Sequence, residues 1–176
     1  MNFLGPFHPQ IVHFPIVLLV SSVLFDLVGR ATDSAWWRKA SMAMLVMAVA
    51  FGVAAILTGE FVGDRAEELQ KIPERTVDAH GDLGKIAIWL AGGALVARLI
   101  ENGVGTARSV VGGVALLLQL AAAVTVGVAA HRGGKLVYRH GAGVSVEGKL
   151  IKHAGTEAAP GAAPGTPAPG AGVSSP

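Results

Sequence analysis

Four apolar runs, each long enough to cross a bilayer and almost free of charge, divide this chain, and no other feature limits its fold so strongly. A hydrocarbon layer roughly 30 Å thick takes about 20 helical residues to cross, and within it a helix satisfies its own backbone hydrogen bonds. Hydrophobic residues make up 52% of the chain against 15% charged, too apolar a balance for an ordinary soluble domain. The chain therefore reads as an all-α membrane protein, four transmembrane helices in two antiparallel hairpins held in a lipid bilayer.

The first run opens with His8-Pro9-Gln10-Ile11-Val12-His13-Phe14-Pro15. Pro15 to Gly29 alone would give about 22 Å of helix, so the span is expected to begin near Pro9 and cover residues 9–29. Pro9 suits the first helical position, whereas Pro15 falls inside, where it frees a backbone carbonyl and kinks the chain. Asp26, Gly29 and Arg30 close this span. Trp36 and Trp37, rings suited to the headgroup layer, introduce with Arg38 and Lys39 a second span over residues 40–61. Its Ala48, Gly52 and Ala55 form a slim stripe on which another helix can approach closely. Residues 62–82 read as a polar, solvated connection containing a short surface helix over 64–72 that Pro73 ends. Asp78 then caps a third span over residues 79–100. A tight loop from Glu101 to Gly105 leads into the fourth, residues 109–131, where Gly112, Gly113 and Ala115 again favour close packing.

Short loops after the first and third spans imply the two helix hairpins. Beyond His131 the stretch from Lys135 to Val144 is too polar and glycine-rich for a fifth span and reads as a short extended segment folding back. The transmembrane domain is expected over residues 1–155 and a disordered Ala/Pro/Gly-rich tail over 156–176. Met1 to Phe7 carries no charged side chain, so the first run is expected to be retained rather than cleaved as a signal peptide. Arg30, Arg38, Lys39 and Arg108 gather at the short loops, which places those loops in the cytoplasm of a bacterial inner membrane and both termini in the periplasm; Arg132, Lys135 and Arg139 are the opposing count.

Several classes of function are set aside on composition. A net charge of +2 from scattered lysines and arginines offers no nucleic-acid face. The absence of cysteine excludes disulfides, thiolate-ligated iron–sulfur clusters, covalently attached haem and a catalytic thiol. No nucleophile–base pair and no HExxH motif is present, so an enzyme is not expected. Transport has little support, because apart from Asp26 near a helix end no charged side chain is seen to line a pathway. Gln119 and Thr125 read as interhelical hydrogen-bonding groups.

The histidines carry what chemistry there is. With four antiparallel helices, His8, His13, His80, His131 and, through the returning segment, His140 all fall at one membrane face. His13, His80 and His131 are expected on the inner side of the bundle with His8 and His140 flanking them. An intramembrane imidazole needs a polar partner, and it both ligates metals and titrates near neutral pH. Three readings follow. Two rings from facing helices could hold a b-type haem, with Gly52, Gly92 and Gly93 admitting the porphyrin. Three or four rings could bind zinc or copper, with Glu60 a possible oxygen ligand and Glu60 and Tyr138 as groups supporting the rings. Or the rings cap helix ends and bond freed carbonyls, in a protein that is an anchor or scaffold.

HPQIVHFP before an apolar helix, His80 opening the third span and HRGGKLVYRHGAGV closing the fourth together resemble the bacterial membrane family called domain of unknown function 2231, over about residues 7 to 146. The resemblance implies the four-helix membrane fold. Relatives that join such a domain to cytochrome c or Rieske modules imply a redox setting. This chain ends instead in its Ala/Pro/Gly tail, so a redox partner is expected to be a separate protein.

Overall fold

The computed structural model describes residues 7–103, 105–146 and 149–150, so the expected disordered tail over 156–176 lies outside the described residues. Its elements are α1 (His8–Ile11), α2 (His13–Ala31), α3 (Ala35–Gln70), α4 (Glu74–Ile100), two short 3-10 turns at Glu101–Gly103 and Gly105–Ala107, α5 (Arg108–His140) and a two-residue antiparallel ladder, β1 (Ser145–Val146) with β2 (Lys149–Leu150). Among the described residues four helices are long and apolar enough to cross a membrane, the first being α1 and α2 taken together.

The first span breaks where its prolines require. Pro9 lies in the first turn of α1, where its missing N–H costs nothing. Pro15 cannot donate to the carbonyl four residues before it, and the helix is interrupted at Val12, between that carbonyl and the proline. α2 then runs unbroken, and Thr32 closes it by donating its amide and its hydroxyl to the carbonyl of Val28.

The other three helices are longer than their apolar runs. The expected polar loop over 62–82 shrinks to Lys71, Ile72 and Pro73. Asp64 to Gln70 is made of good helix formers with no breaker, so α3 continues through it and stops at Lys71, which takes the left-handed conformation with φ 60° immediately before the Ile72-Pro73 pair. Pro73, not Asp78, stands at the N-cap of α4, and Asp78 sits in the second turn of the helix. Likewise Lys135 to His140 is helical rather than extended. Gly133 and Gly134 cost α5 some propensity without ending it, and the stop is Gly141, at φ 68°, with the Gly141 and Ala142 amides returning to the Val137 and Leu136 carbonyls. The extended residues lie further on, at 145–146 and 149–150.

α2 packs chiefly on α3 and α4 on α5, with α3 against α4 and α2 against α5 closing a square in which α2 faces α4 across one diagonal. The centre is built from Leu19, Leu45, Ala48, Ala87, Ala91, Ala94, Ala122 and Val126. Alanine at every buried apolar position of α4, Ala87, Ala91 and Ala94, lets the backbones approach, the arrangement small residues favour in lipid. Gly52 on the predicted stripe has a specific reason to lack a side chain: a Cβ there would lie 2.1 Å from Cδ1 of Ile88. A second, smaller core outside the apolar runs joins Ala66, Ile72 and Leu136, with Val77 and Ala142 against it.

Candidate functional site at the two ends of the bundle

Two of the five candidate histidines are half-buried and bonded to a neighbouring helix. His8, on α1, is half-buried and its Nδ1 lies 3.0 Å from Oγ1 of Thr58 on α3. Thr58 spends its own proton on the carbonyls of Ala54 and Ala55, so its oxygen must accept and the Nδ1 of His8 must donate. His80, in the second turn of α4, donates Nδ1–H to the carbonyl of Ala129 on α5 at 2.9 Å. In both rings the donor is Nδ1, which leaves Nε2 as the acceptor. Each ring rests on a glycine: a Cβ on Gly59 would lie 2.9 Å from Cε1 of His8, and one on Gly133 at the same distance from Cε1 of His80. His80 is close enough to act on His8 electrostatically. Arg132 adds a bond from α5 to the carbonyl of Ala79 at 3.3 Å.

The other three lie elsewhere. His13 is exposed and turns back on its own segment, bonding the carbonyl of Pro9. His131 is also exposed, on the outer surface of α5. His140 is carried away from this level, because nine helical residues after His131 add about 13 Å rather than folding back. Tyr138 is 92% exposed on the same extension, which removes it from the rings. Glu60 pairs with Lys85 at 3.3 Å, both side chains open to the surroundings. Among the described residues no three His, Asp or Glu side chains converge as a metal site. The space beside Gly52 is filled by Ile88, and Gly93 lies against Leu118.

At the opposite end stands a polar centre that reading the histidines alone does not find. Asp26 is fully buried; its Oδ1 meets Nη1 of Arg98 at 2.7 Å across the α2–α4 diagonal, and its Oδ2 meets Nε of Arg30 at 2.9 Å. Arg98, itself 7% exposed, also reaches Glu101 at 3.3 Å. Arg30 donates to the carbonyl of Gly112 on α5 at 2.8 Å. A Cβ on Gly112 would lie 2.6 Å from Oε1 of Glu101 and 3.1 Å from Nη1 of Arg30, so the close packing read from this glycine is packing against charged side chains, which would have to shift to admit a methyl group. Arg38 ties α3 to α2 through the carbonyl of Gly29 at 3.2 Å and pairs with Asp33 at 2.9 Å. One turn deeper, Gln119 donates to Ser22 at 3.2 Å and Ser41 donates to the Ser22 carbonyl at 2.7 Å, so α2, α3 and α5 meet there. Gln119 is thus interhelical as expected, whereas Thr125 bonds the carbonyl of Ala121 on its own helix. The signal for this centre was present: Asp26 and Arg98 are opposite charges just inside the ends of two apolar runs, where neither is tolerated without a partner.

A square of four apolar helices, pinned at each end by polar side chains and packed between them chiefly by leucine, valine and alanine, defines an integral membrane protein of the helical-bundle class. Comparison with known families places it further: a family model described as "Predicted membrane protein (DUF2231)" matches residues 5–146, and the chain belongs to that family. No curated protein and no solved structure matches the chain.

Proposed function

We propose that this chain is a non-catalytic membrane scaffold whose histidines serve as interhelical clips. The observation that carries the reading is the choice of partners: His8 bonds Thr58 from α1 to α3, and His80 bonds the Ala129 carbonyl from α4 to α5. A half-buried imidazole so satisfied stabilises by about 1 kcal/mol per bond. The bacterial inner membrane, with the short loops in the cytoplasm and the termini in the periplasm, is the placement supported by Arg30, Arg38, Lys39 and Arg108 at the short-loop end.

A second reading makes His8 and His80 a ligand pair for b-type haem, zinc or copper, with electrons exchanged with a separate redox protein. The tautomers favour it, because a neutral ring that donates from Nδ1 to a fixed oxygen presents Nε2 to a metal. Two imidazoles are the axial set of a six-coordinate haem and half of a zinc site. One experiment separates the readings. The purified full-length protein is titrated with haemin and with zinc, and thermal unfolding is followed for the wild type, His8→Ala and His80→Ala. Clips require both variants to melt earlier with no one-to-one species formed by either titrant. A stoichiometric Soret-absorbing or zinc-bound species, lost in both variants, would replace the scaffold with the ligand pair.

A further inference from the structure

A cleft of about 640 Å³ opens at the short-loop end, lined by Arg30, Asp33, Arg38, Glu101, Thr106, Arg108 and Ser109. Of its three arginines two are fixed in place: Arg30 is held by Asp26 and the Gly112 carbonyl, and Arg38 by Asp33 and the Gly29 carbonyl. Arg108, at the start of α5, is exposed and makes no ion pair among the described residues. The charges here are nearly matched. Asp26 and Glu101 offset Arg98 and Arg30, Asp33 offsets Arg38, and one positive charge, that of Arg108, is left over. Beside it α5 begins without a side-chain cap, so its first-turn amides are unclaimed by any capping side chain, and Thr106 and Ser109 offer hydroxyls.

From this geometry we infer that the cleft holds the phosphodiester of an anionic membrane phospholipid, its acyl chains lying along the bundle. Guanidinium forks held by carboxylates match phosphate oxygens with little ordering cost, and the single surplus charge matches the single charge of a phosphodiester. The position favours a lipid over a soluble anion. The cleft lies where four helices end, and Trp36 and Trp37, the two residues before Arg38 at the start of α3, mark the level where headgroups lie. The inference is independent of the histidine end and of which leaflet the cleft faces.

The test uses the full chain in a neutral detergent, measuring binding by native mass spectrometry and stabilisation by thermal unfolding with added phosphatidylglycerol, diacylglycerol or inorganic phosphate. Phosphatidylglycerol should bind and raise the melting temperature, and diacylglycerol should do neither. Arg108→Gln removes the surplus charge without touching the buried pairs and should weaken phosphatidylglycerol binding about fivefold, the weight of one arginine near an anionic surface. Arg108→Lys should restore most of it, and Thr106→Val with Ser109→Ala provides a variant of unchanged charge that should weaken binding if Arg108→Gln does not fold. Equal binding of diacylglycerol, undiminished binding by Arg108→Gln, or an equal effect of inorganic phosphate at the same concentration would overturn the assignment.

Discussion

Replacing Asp26 with alanine should be among the most damaging single changes in the bundle. The carboxylate is fully buried and holds two guanidinium groups, and its removal leaves Arg98, 7% exposed, with Glu101 at 3.3 Å and a long bond to the Arg38 carbonyl at 3.5 Å. Breaking a buried ion pair by deleting one partner costs about 3–5 kcal/mol, most of it the penalty of the charge left behind. Arg30 contributes little to the loss, because its side chain is 29% exposed and keeps the Gly112 carbonyl. The remaining Glu101 contact sets the expectation at the lower end, about 3 kcal/mol, or roughly a hundredfold in the unfolding equilibrium. Tryptophan fluorescence during detergent-driven unfolding is a suitable assay, since Trp37 packs edge-on against Phe25, the residue before Asp26, at 4.9 Å. The double variant Asp26→Leu with Arg98→Met removes both charges and should recover most of the stability, as apolar replacements of buried pairs do. A loss below about 1 kcal/mol for Asp26→Ala, or a double variant as poor as the two single changes added together, would refute the view that the unpaired charge is the cost.

Gly52→Ala should destabilise by about 1–3 kcal/mol through overpacking against Ile88, and Ile88→Val, which deletes the clashing Cδ1, should recover part of it in the same unfolding assay. Gln70, 2% exposed, donates to the Gly141 carbonyl at 2.7 Å and accepts from the Gly143 amide at 2.9 Å; Gln70→Ala should leave the membrane part intact and speed hydrogen exchange at Gly143, by about tenfold for one lost bond. Alkaline phosphatase fused after Val146 should be active, whereas a fusion in the loop after Ala31 should not; the reverse pattern would invert the orientation.

The helix count and the hairpins were legible because four runs of apolar residues with short loops leave a membrane chain few alternatives. Their lengths were not. Hydropathy marks where a helix meets lipid, and it falls silent at residues 62–70 and 132–140, where helix formers carry α3 and α5 on through polar sequence that a small core of Ala66, Ile72 and Leu136 makes worth ordering. The end of the bundle at which His8, His13, His80 and His131 lie followed from helix direction, but the way each ring faces did not, and His140 rides on a helical extension where a returning segment was expected. His80 turns inward because Gly133 opposite leaves space, a relation between residues 53 positions apart that periodicity on a single helix does not show. Arg98 was harder still. It lies inside a run read as uncharged, and only its pairing with Asp26 on the opposite helix makes its burial intelligible.

The spacing of the two polar ends decides what the bundle is suited to do. From His8 to Asp26 is 18 positions, from His80 to Arg98 another 18, from Ser41 to Thr58 is 17, and from the Gly112 carbonyl to the Ala129 carbonyl 17. At 1.5 Å per residue these are about 26–27 Å, close to the thickness of the hydrocarbon layer, so each end of every span carries a group bonded to another helix within about one turn of the depth where headgroups and water begin. What remains of α3 and α5 beyond Thr58 and Ala129, about 17–18 Å, projects on the histidine side and is clasped by Gln70. Between the two levels the centre is leucine, valine and closely packed alanine, with Gln119 and Ser22 the polar groups within it, paired to each other. Alternating access would require one hairpin to rock against the other, and that would break Asp26–Arg98 across the diagonal at one end or the links to Thr58 and Ala129 at the other. A bundle bonded at both interfaces and packed by apolar side chains at its middle holds its helices in register, as the proposed scaffold requires and a rocking carrier does not.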